Sequence, residues 1–475
     1  MMLTSMAGNG AQDGILRRAK GLLRAGCMLF AAIGVWGGAA AADQAKADWA
    51  DSAWRFVTER TYSPATHLIY DYLVGDTPDA HVRYLPSPED IRQNFPCPTG
   101  WGTGMEDSVL NGSPFLMAAM RRHDVTGDGE SLKVARLIFD GLCRCAEVSP
   151  TRGYLARSIS PVDCKSHYAN SSRDQYTMFV YALWRYWGWP KSTPEEKARV
   201  ARILVDIARF AERCVTPEND FCLLREDGGP SFVCKMWTAT PCVAKERISG
   251  GGAFDDYGKI FPHEILRLPE IYAAAHAVSG DRHWREKELE LADQGIEMSF
   301  GRQEGRMHAY ALYQMQTSIR LLWELETDSA RRARYLELLK LVVKLTGQVP
   351  PRVRKLRDEL KGDFTASPVE WRRRRFVYLP MEWSGGPPAP VGGMRYLVPQ
   401  SEPGNAFSKV HLSLREAAEA VLIAQLCPDM EVPKDWLDLM DSLFASVDYG
   451  RLHISGAPAH ALLAYWQARH SAGRQ

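Results

Sequence analysis

Neither sign of charge dominates this chain: 58 lysines and arginines stand against 57 aspartates and glutamates over 475 residues. A net charge of +1 leaves no electrostatic case for nucleic acid or an acidic surface as partner. No P-loop, dinucleotide fingerprint or H-E-x-x-H is present. The absence of G-x-S-x-G weighs against an α/β-hydrolase. None of the 10 cysteines has the paired C-x-x-C spacing of a zinc site, so neither a metal nor a cofactor is expected. Past residue 45 no apolar run reaches 18 residues, so no membrane span is expected there.

What is present begins with an export pattern. Arg17, Arg18, Lys20 and Arg24 make a basic region, residues 27–38 a short apolar one, and Ala39–Ala42 a small-residue cleavage site. Residues 1–42 therefore read as a signal peptide, with a retained N-terminal anchor as the alternative, and residues 43–475 as a single domain in a periplasmic or secreted protein. An oxidising compartment permits disulfides. Cys214, Cys222, Cys234 and Cys242 share one irregular stretch and are the expected bridged set, with connectivity open. The 14 Trp and 18 Tyr serve cores, and also sugar clefts, because a flat ring covers the apolar face of a pyranose.

Nearly every ordered segment has helical period, which implies an all-α fold. Residues 119–143 and 272–296 both contain H-x-V-[ST]-G-D. In each, an apolar helix stops at Gly127 or Gly280, and Asp128 or Asp281 caps the next. The same hairpin can be laid along the whole chain. Apolar helices are expected near 105–123, 172–188, 259–279, 307–325, 410–427 and 457–470. Charged helices are expected near 47–60, 130–146, 194–214, 282–298, 329–346 and 433–446. Links from apolar to charged helix are short, whereas most returning links, 61–104, 147–171, 215–258 and 347–409, are long. Such loops are usually functional. In a ring of hairpins they converge over the N-termini of the inner helices.

Polar clusters gather at those helix starts. The first runs Trp101-Gly-Thr-Gly-Met-Glu106-Asp107-Ser108, with Asn111 one turn on; helix capping is its bland explanation. The densest joins Arg157 to Lys165-Ser-His167-Tyr168-Ala-Asn170-Ser-Ser172-Arg173-Asp174-Gln175-Tyr176, in which Ser171 or Ser172 can cap the helix. A third, glycine-rich, holds Asp255 and Asp256, followed by His263 and Glu264. A fourth offers His308 and Tyr310, and Glu382 with Trp383 lies in the longest loop. The remaining histidines at this end are His411, near Arg415, and His453.

Glycoside hydrolysis needs two carboxyl groups across a cleft, one neutral and one ionised. Asp107 and Asp174 meet that need, since each opens an apolar helix on adjacent hairpins. Trp101, Glu106, Asn111, Arg157, His167, Tyr168, Arg173, Gln175, Tyr176, Asp256, His308, Tyr310, Glu382 and Trp383 are then the substrate-binding candidates. The hairpin count, the T-G-D and S-G-D turns and the acids on the first two inner helices resemble the six-hairpin (α/α)6-toroid glycosidases, in particular the unsaturated glucuronyl and rhamnogalacturonyl hydrolases. The G-M-E-D-S and N-S-S-R-D-Q-Y-T strings resemble those of exported bacterial proteins with this fold. The resemblance implies a carbohydrate substrate, in this case containing uronic acid, with Asp174 as proton donor and Asp107 assisting it. Two alternatives stay open: a uronate polysaccharide lyase, with His167 or Tyr168 as base and Arg157, Arg173 and Asn170 neutralising the carboxylate, and a glycan-binding toroid without catalysis. Oligomeric state and retaining or inverting outcome are open at this stage.

Overall fold

The computed structural model describes residues 49–73, 84–239, 260–301, 307–368, 370–373, 376–379, 394–397 and 406–473. The chain divides after Asp51 into two units, and the architecture below belongs to Ser52–Gln475. The expected signal segment lies outside the described residues. No helix among the described residues is long and apolar enough to cross a membrane.

A π-helical segment Phe56–Thr61 and a short helix α1 (Pro88–Arg92) precede the main elements. These are α2 (Ser108–Thr126), α3 (Gly129–Glu147), α4 (Arg173–Trp187), α5 (Pro194–Cys214), α6 (Arg267–Ser279) and α7 (Arg282–Ser299). They continue as α8 (Ala309–Leu325), α9 (Ser329–Thr346), α10 (Val349–Leu360), α11 (Ala406–Leu426), α12 (Lys434–Ala445) and α13 (Gly456–Ala472). Helices α2, α4, α6, α8, α11 and α13 each pack on the next, and α13 packs back on α2, which closes a ring. These six are buried on most faces, as Val109–Met120 of α2 and Ser413–Ala424 of α11 show. Helices α3, α5, α7, α9 and α12 pack outside their hairpin partners. The segment that ends at Thr61 supplies the sixth outer element. There Trp54 lies 5.3 Å from Phe115 of α2, and Arg60 donates to the carbonyls of Tyr449 (2.8 Å) and Gly450 (2.6 Å) beyond α12. The fold is a six-hairpin (α/α)6 toroid.

The repeated turn has a mechanism. Gly127 and Gly280 adopt φ of 72° and 69°, the left-handed conformation that ends α2 and α6. Asp128 then accepts the Ser131 N–H at 2.6 Å, and Asp281 the His283 N–H at 3.0 Å. The histidine of the motif closes the turn from the other side. His123 Nδ1 lies 2.8 Å from the Asp128 carbonyl, and His276 Nδ1 lies 3.0 Å from that of Asp281.

Three expectations need correction. The connection 347–409 begins with the additional helix α10, whose Pro350 sits in the first turn, where a missing N–H costs nothing. The long connections also carry three two-stranded antiparallel sheets. They are β1 (Tyr62–Ser63) with β2 (Leu68–Ile69), β3 (Cys222–Leu224) with β4 (Pro230–Lys235), and β5 (Phe376–Leu379) with β6 (Met394–Leu397). Cys214, Cys222 and Cys234 are free and buried, packing as small apolar groups instead of bridging; Cys242 lies outside the described residues.

Candidate active site

Short turns join the C-termini of the inner helices to the outer ones, so the N-termini of all six open on the face that carries the long connections. At the first of them Asp107 holds the N-cap position of α2 but makes no capping hydrogen bond. Other groups satisfy the orphan donors of that turn. Val109 N–H goes to the Arg157 carbonyl (3.1 Å), and Leu110 N–H goes to Gln175 Oε1 (2.9 Å). The bland capping explanation therefore fails for Asp107, and its carboxylate is free for other work. Oδ1 accepts from Arg157 (3.0 Å) and Gln175 Nε2 (2.8 Å), and the side chain keeps 25% of its surface exposed.

Beneath it lie two buried carboxyls. Asp71 accepts the Asp107 N–H at 2.7 Å and the Asn111 amide on its other oxygen. Burial, then the nearby charges of Asp107 and Glu106, push the Asp71 carboxyl well above its ordinary range. Glu106 accepts the N–H groups of Gly102 (2.8 Å) and Gly104 (2.7 Å), and burial followed by Asp107 raises it as well. Three carboxyls thus share one site, and their mutual repulsion and burial push the two inner ones, Asp71 and Glu106, toward their protonated forms.

The second inner helix presents the opposite electrostatics. Asp174, in the first turn of α4 with 30% of its side chain exposed, accepts from Arg267 at 2.6 Å. Arg267 is buried at the start of α6 and donates its other arm to Gln314 of α8 at 2.6 Å. Burial alone would raise Asp174, but Arg267 and then Arg173 outweigh it and hold the carboxyl below its ordinary value. Ser172 occupies the N-cap of α4 without capping it, and among the described residues neither Ser171 nor Ser172 has a hydrogen-bond partner for its hydroxyl, contrary to the capping expectation.

The other candidates separate into wall and scaffold. Trp101 and Tyr310 are 40% and 39% exposed, and Arg415 sits 5.9 Å from the Tyr310 ring. His308 caps α8 by position, with Nδ1 3.0 Å from Glu416, which Arg352 of α10 grips at 2.7 Å through two nitrogens. Arg173 pairs with Glu264 at 2.5 Å, and burial lowers neighbouring His263 to about 4. In contrast, Glu106, Asn111, Tyr168 and Tyr176 are buried supports. Tyr168 donates to the Phe95 carbonyl at 2.6 Å, and the Tyr176 hydroxyl takes the Leu155 N–H at 3.0 Å. Gln175 is buried and braces the start of α2, accepting from Leu110 N–H and donating to Asp107 and the Glu106 carbonyl. His167 is held between Glu226 (3.1 Å) and the Lys165 carbonyl (2.9 Å), and Asn170 accepts from Ser231 at 2.5 Å. These seven, expected as substrate contacts or, in the case of Asn170, as a neutralising group, are placed by the structure in packing and positioning contacts. Asp255, Asp256, Glu382 and Trp383 lie outside the described residues. Asp71 and Arg267 have no sequence motif; the only signal for Arg267 was a charged residue opening an otherwise apolar inner helix.

No family model matches the chain, and no curated protein matches it. Among solved structures it is similar to a GH76 alpha-1,6-mannanase from Salegentibacter sp. HEL1_6, at 11% identity and a TM-score of 0.31, over 63% of this chain and 88% of that one. An inactive, doubly substituted variant of that enzyme, in complex with alpha-1,6-mannotriose, matches at 11% identity and a TM-score of 0.31 over 62% of this chain and 87% of that one.

Proposed function

We propose that the chain is a glycoside hydrolase acting on a carbohydrate laid across the long-loop face. One observation carries the reading: two half-exposed aspartates open adjacent inner helices in opposite electrostatic settings. Asp174 is kept ionised by buried Arg267. Asp107 is the exposed edge of a three-carboxyl cluster whose two buried members, Asp71 and Glu106, are pushed toward their protonated forms. Two-carboxylate hydrolysis needs that division. The roles are then the reverse of those the resemblance implied. The Asp107 cluster protonates the leaving oxygen, while Asp174 activates water or stabilises the developing positive charge on the sugar. Trp101 and Tyr310 offer rings for sugar faces.

Arg157, Arg173, Arg267 and Arg415 stand among these acids, each on a carboxylate (Asp107, Glu264, Asp174 and Glu419), so the choice of a uronate-containing substrate rests on the resemblance alone. The lyase alternative loses its bases, because His167 and Tyr168 are committed to the supporting loops. Export through residues 1–42 belongs to the same proposal and is checked by sequencing the mature N-terminus. The activity is tested by screening plant and bacterial uronate oligosaccharides for new reducing ends. The wild-type chain should release them. Asp174→Asn and Asp107→Asn should each lose about 100-fold or more of the rate with helicity unchanged, the scale of positioned acid–base catalysis. Full activity in both variants would sink the mechanism. Products carrying the ultraviolet absorbance of an unsaturated uronate would mean elimination, and binding without turnover would mean a glycan-binding toroid.

A further inference from the structure

A large cavity opens at the opposite end of the ring, where the inner helices finish. It encloses about 1250 Å³ between the C-termini of α2, α4, α6, α8 and α13 and the turn after α4. That exceeds the roughly 300–1,000 Å³ usual for a small-molecule site, and has room for several sugar rings.

Its charges do not balance. Five lysines and arginines line it against three acids. The acids are already used: Glu324 takes Arg185 at 2.9 Å, Asp124 takes Arg121 at 3.2 Å, and Glu288 takes Arg285. Lys191 and Arg469 are left without a carboxylate among the described residues. Lys191 is exposed in the turn after α4, and Arg469 lies 3.5 Å over the Tyr465 ring. Cations near helix C-termini complement the dipoles, which accounts for part of this surplus. Dipoles do not account for Trp187. Its neighbour Trp184 is covered by Arg185 at 4.9 Å and by Tyr181 at 5.9 Å. Trp187 is half-buried on the cavity wall, and its ring makes no stacking, cation contact or hydrogen bond among the described residues. A bare indole and two unmatched cations lining one cavity suit a ligand whose rings have an apolar face and carry carboxylates.

We propose that this cavity is a second carbohydrate site, taking an acidic oligosaccharide with Trp187 as the stacking platform and Lys191 and Arg469 holding a carboxylate. It performs no chemistry and would keep a polymer on the protein while the far face acts. The choice of ligand class rests on the carbohydrate reading above, but the test reads binding alone. Trigalacturonate is titrated calorimetrically into the full chain carrying Asp174→Asn, which silences turnover. Adding Trp187→Ala or Lys191→Glu should each weaken one class of site at least 10-fold, and raising the salt should weaken it further by screening. Hydrolysis by the corresponding single variants should be unchanged on a substrate too small to reach both faces. Lys191 is exposed, so its variant stays informative if Trp187→Ala unfolds. Unchanged affinity in both variants, equally tight binding of neutral maltotriose, or no binding at all would overturn the proposal. Trp187-dependent binding by a chain that hydrolyses nothing would keep this site and remove the catalytic reading.

Discussion

Arg267 decides what Asp174 can do. Its guanidinium is buried, 2.6 Å from the carboxylate, and anchored on Gln314, so the pair cannot relax apart. The folded value of Asp174 lies below its ordinary one, and activity that needs the ionised form fails only as pH falls through that depressed value. Arg267→Met should therefore move the acid limb of kcat/KM to higher pH, with a melting curve to show that the ring survives. A limb that stays in place would exclude Asp174 as the ionised partner. Asp71 sets the other limb. Its carboxyl is held neutral by burial and by Asp107 and Glu106, and the cluster loses its proton as pH rises through that raised value. Asp71→Asn takes away the carboxyl that holds this proton, so the alkaline limb should no longer fall at that raised value. Asp107 and Asp174 were legible because each opens an apolar helix. Asp71 and Arg267 were not, since one is brought in by a long connection and the other reads as part of a helix. Their roles exist only through contacts across 36 and 93 positions of sequence.

At the level of elements, the hairpin is specified by its turn. A left-handed glycine, a capping aspartate and a histidine on the aspartate carbonyl make one closed unit, used at 123–128 and 276–281. A Cβ at Gly127 or Gly280 would meet nothing within 4 Å, so alanine there pays only the backbone cost of the left-handed conformation. Gly127→Ala and Gly280→Ala should each lower stability by about 1–2 kcal/mol. Asp128→Ala should cost about 1 kcal/mol for the lost cap. Denaturant titration reads these directly, and a neutral glycine variant would mean that the turn is not needed to end its helix. This unit made the inner and outer sets readable from sequence, because alternating apolar and charged helices joined by short turns admit few arrangements. Helix α10 was counted within the long connection 347–409, although Pro350 is acceptable in a first turn. The consequence reaches the site, since Arg352 of α10 holds Glu416 against His308.

A closed ring of buried helices has to bury the polar groups that face its axis, and this shapes the pH response of the whole molecule. Burial and then nearby Arg415 lower His411 and His460 to about 3, and burial lowers His263 to about 4. An unfolded chain takes up those protons near pH 6.5 (roughly), so the stability these histidines contribute is complete above that value and is lost as pH falls. Glu419 runs the other way. Burial, opposed by Arg415, raises it from 4.5 to about 7, so its contribution is complete at low pH and is lost as pH rises toward 7. His460 and Glu419 lie 3.6 Å apart. Between about 4.5 and 6.5 the folded pair keeps the proton on Glu419 and the unfolded chain keeps it on His460. Both states bind one proton, so the pair is silent over that window; His263 and His411 make stability fall with falling pH there, the raised Asp71 and Glu106 carboxyls oppose them, and Asp174 adds to the fall only below the ordinary carboxylate value. Glu419→Gln removes the compensation. It should lower Tm above about pH 7, where Glu419 is ionised and buried Arg415 loses the charge of its partner. It should also steepen the fall in Tm between pH 6.5 and 4.5, because His460 then titrates without opposition. His411→Gln should flatten the same slope. Melting curves across that range distinguish the two effects, and a parallel offset in Glu419→Gln with no change of slope would show that the pair does not exchange a proton on folding.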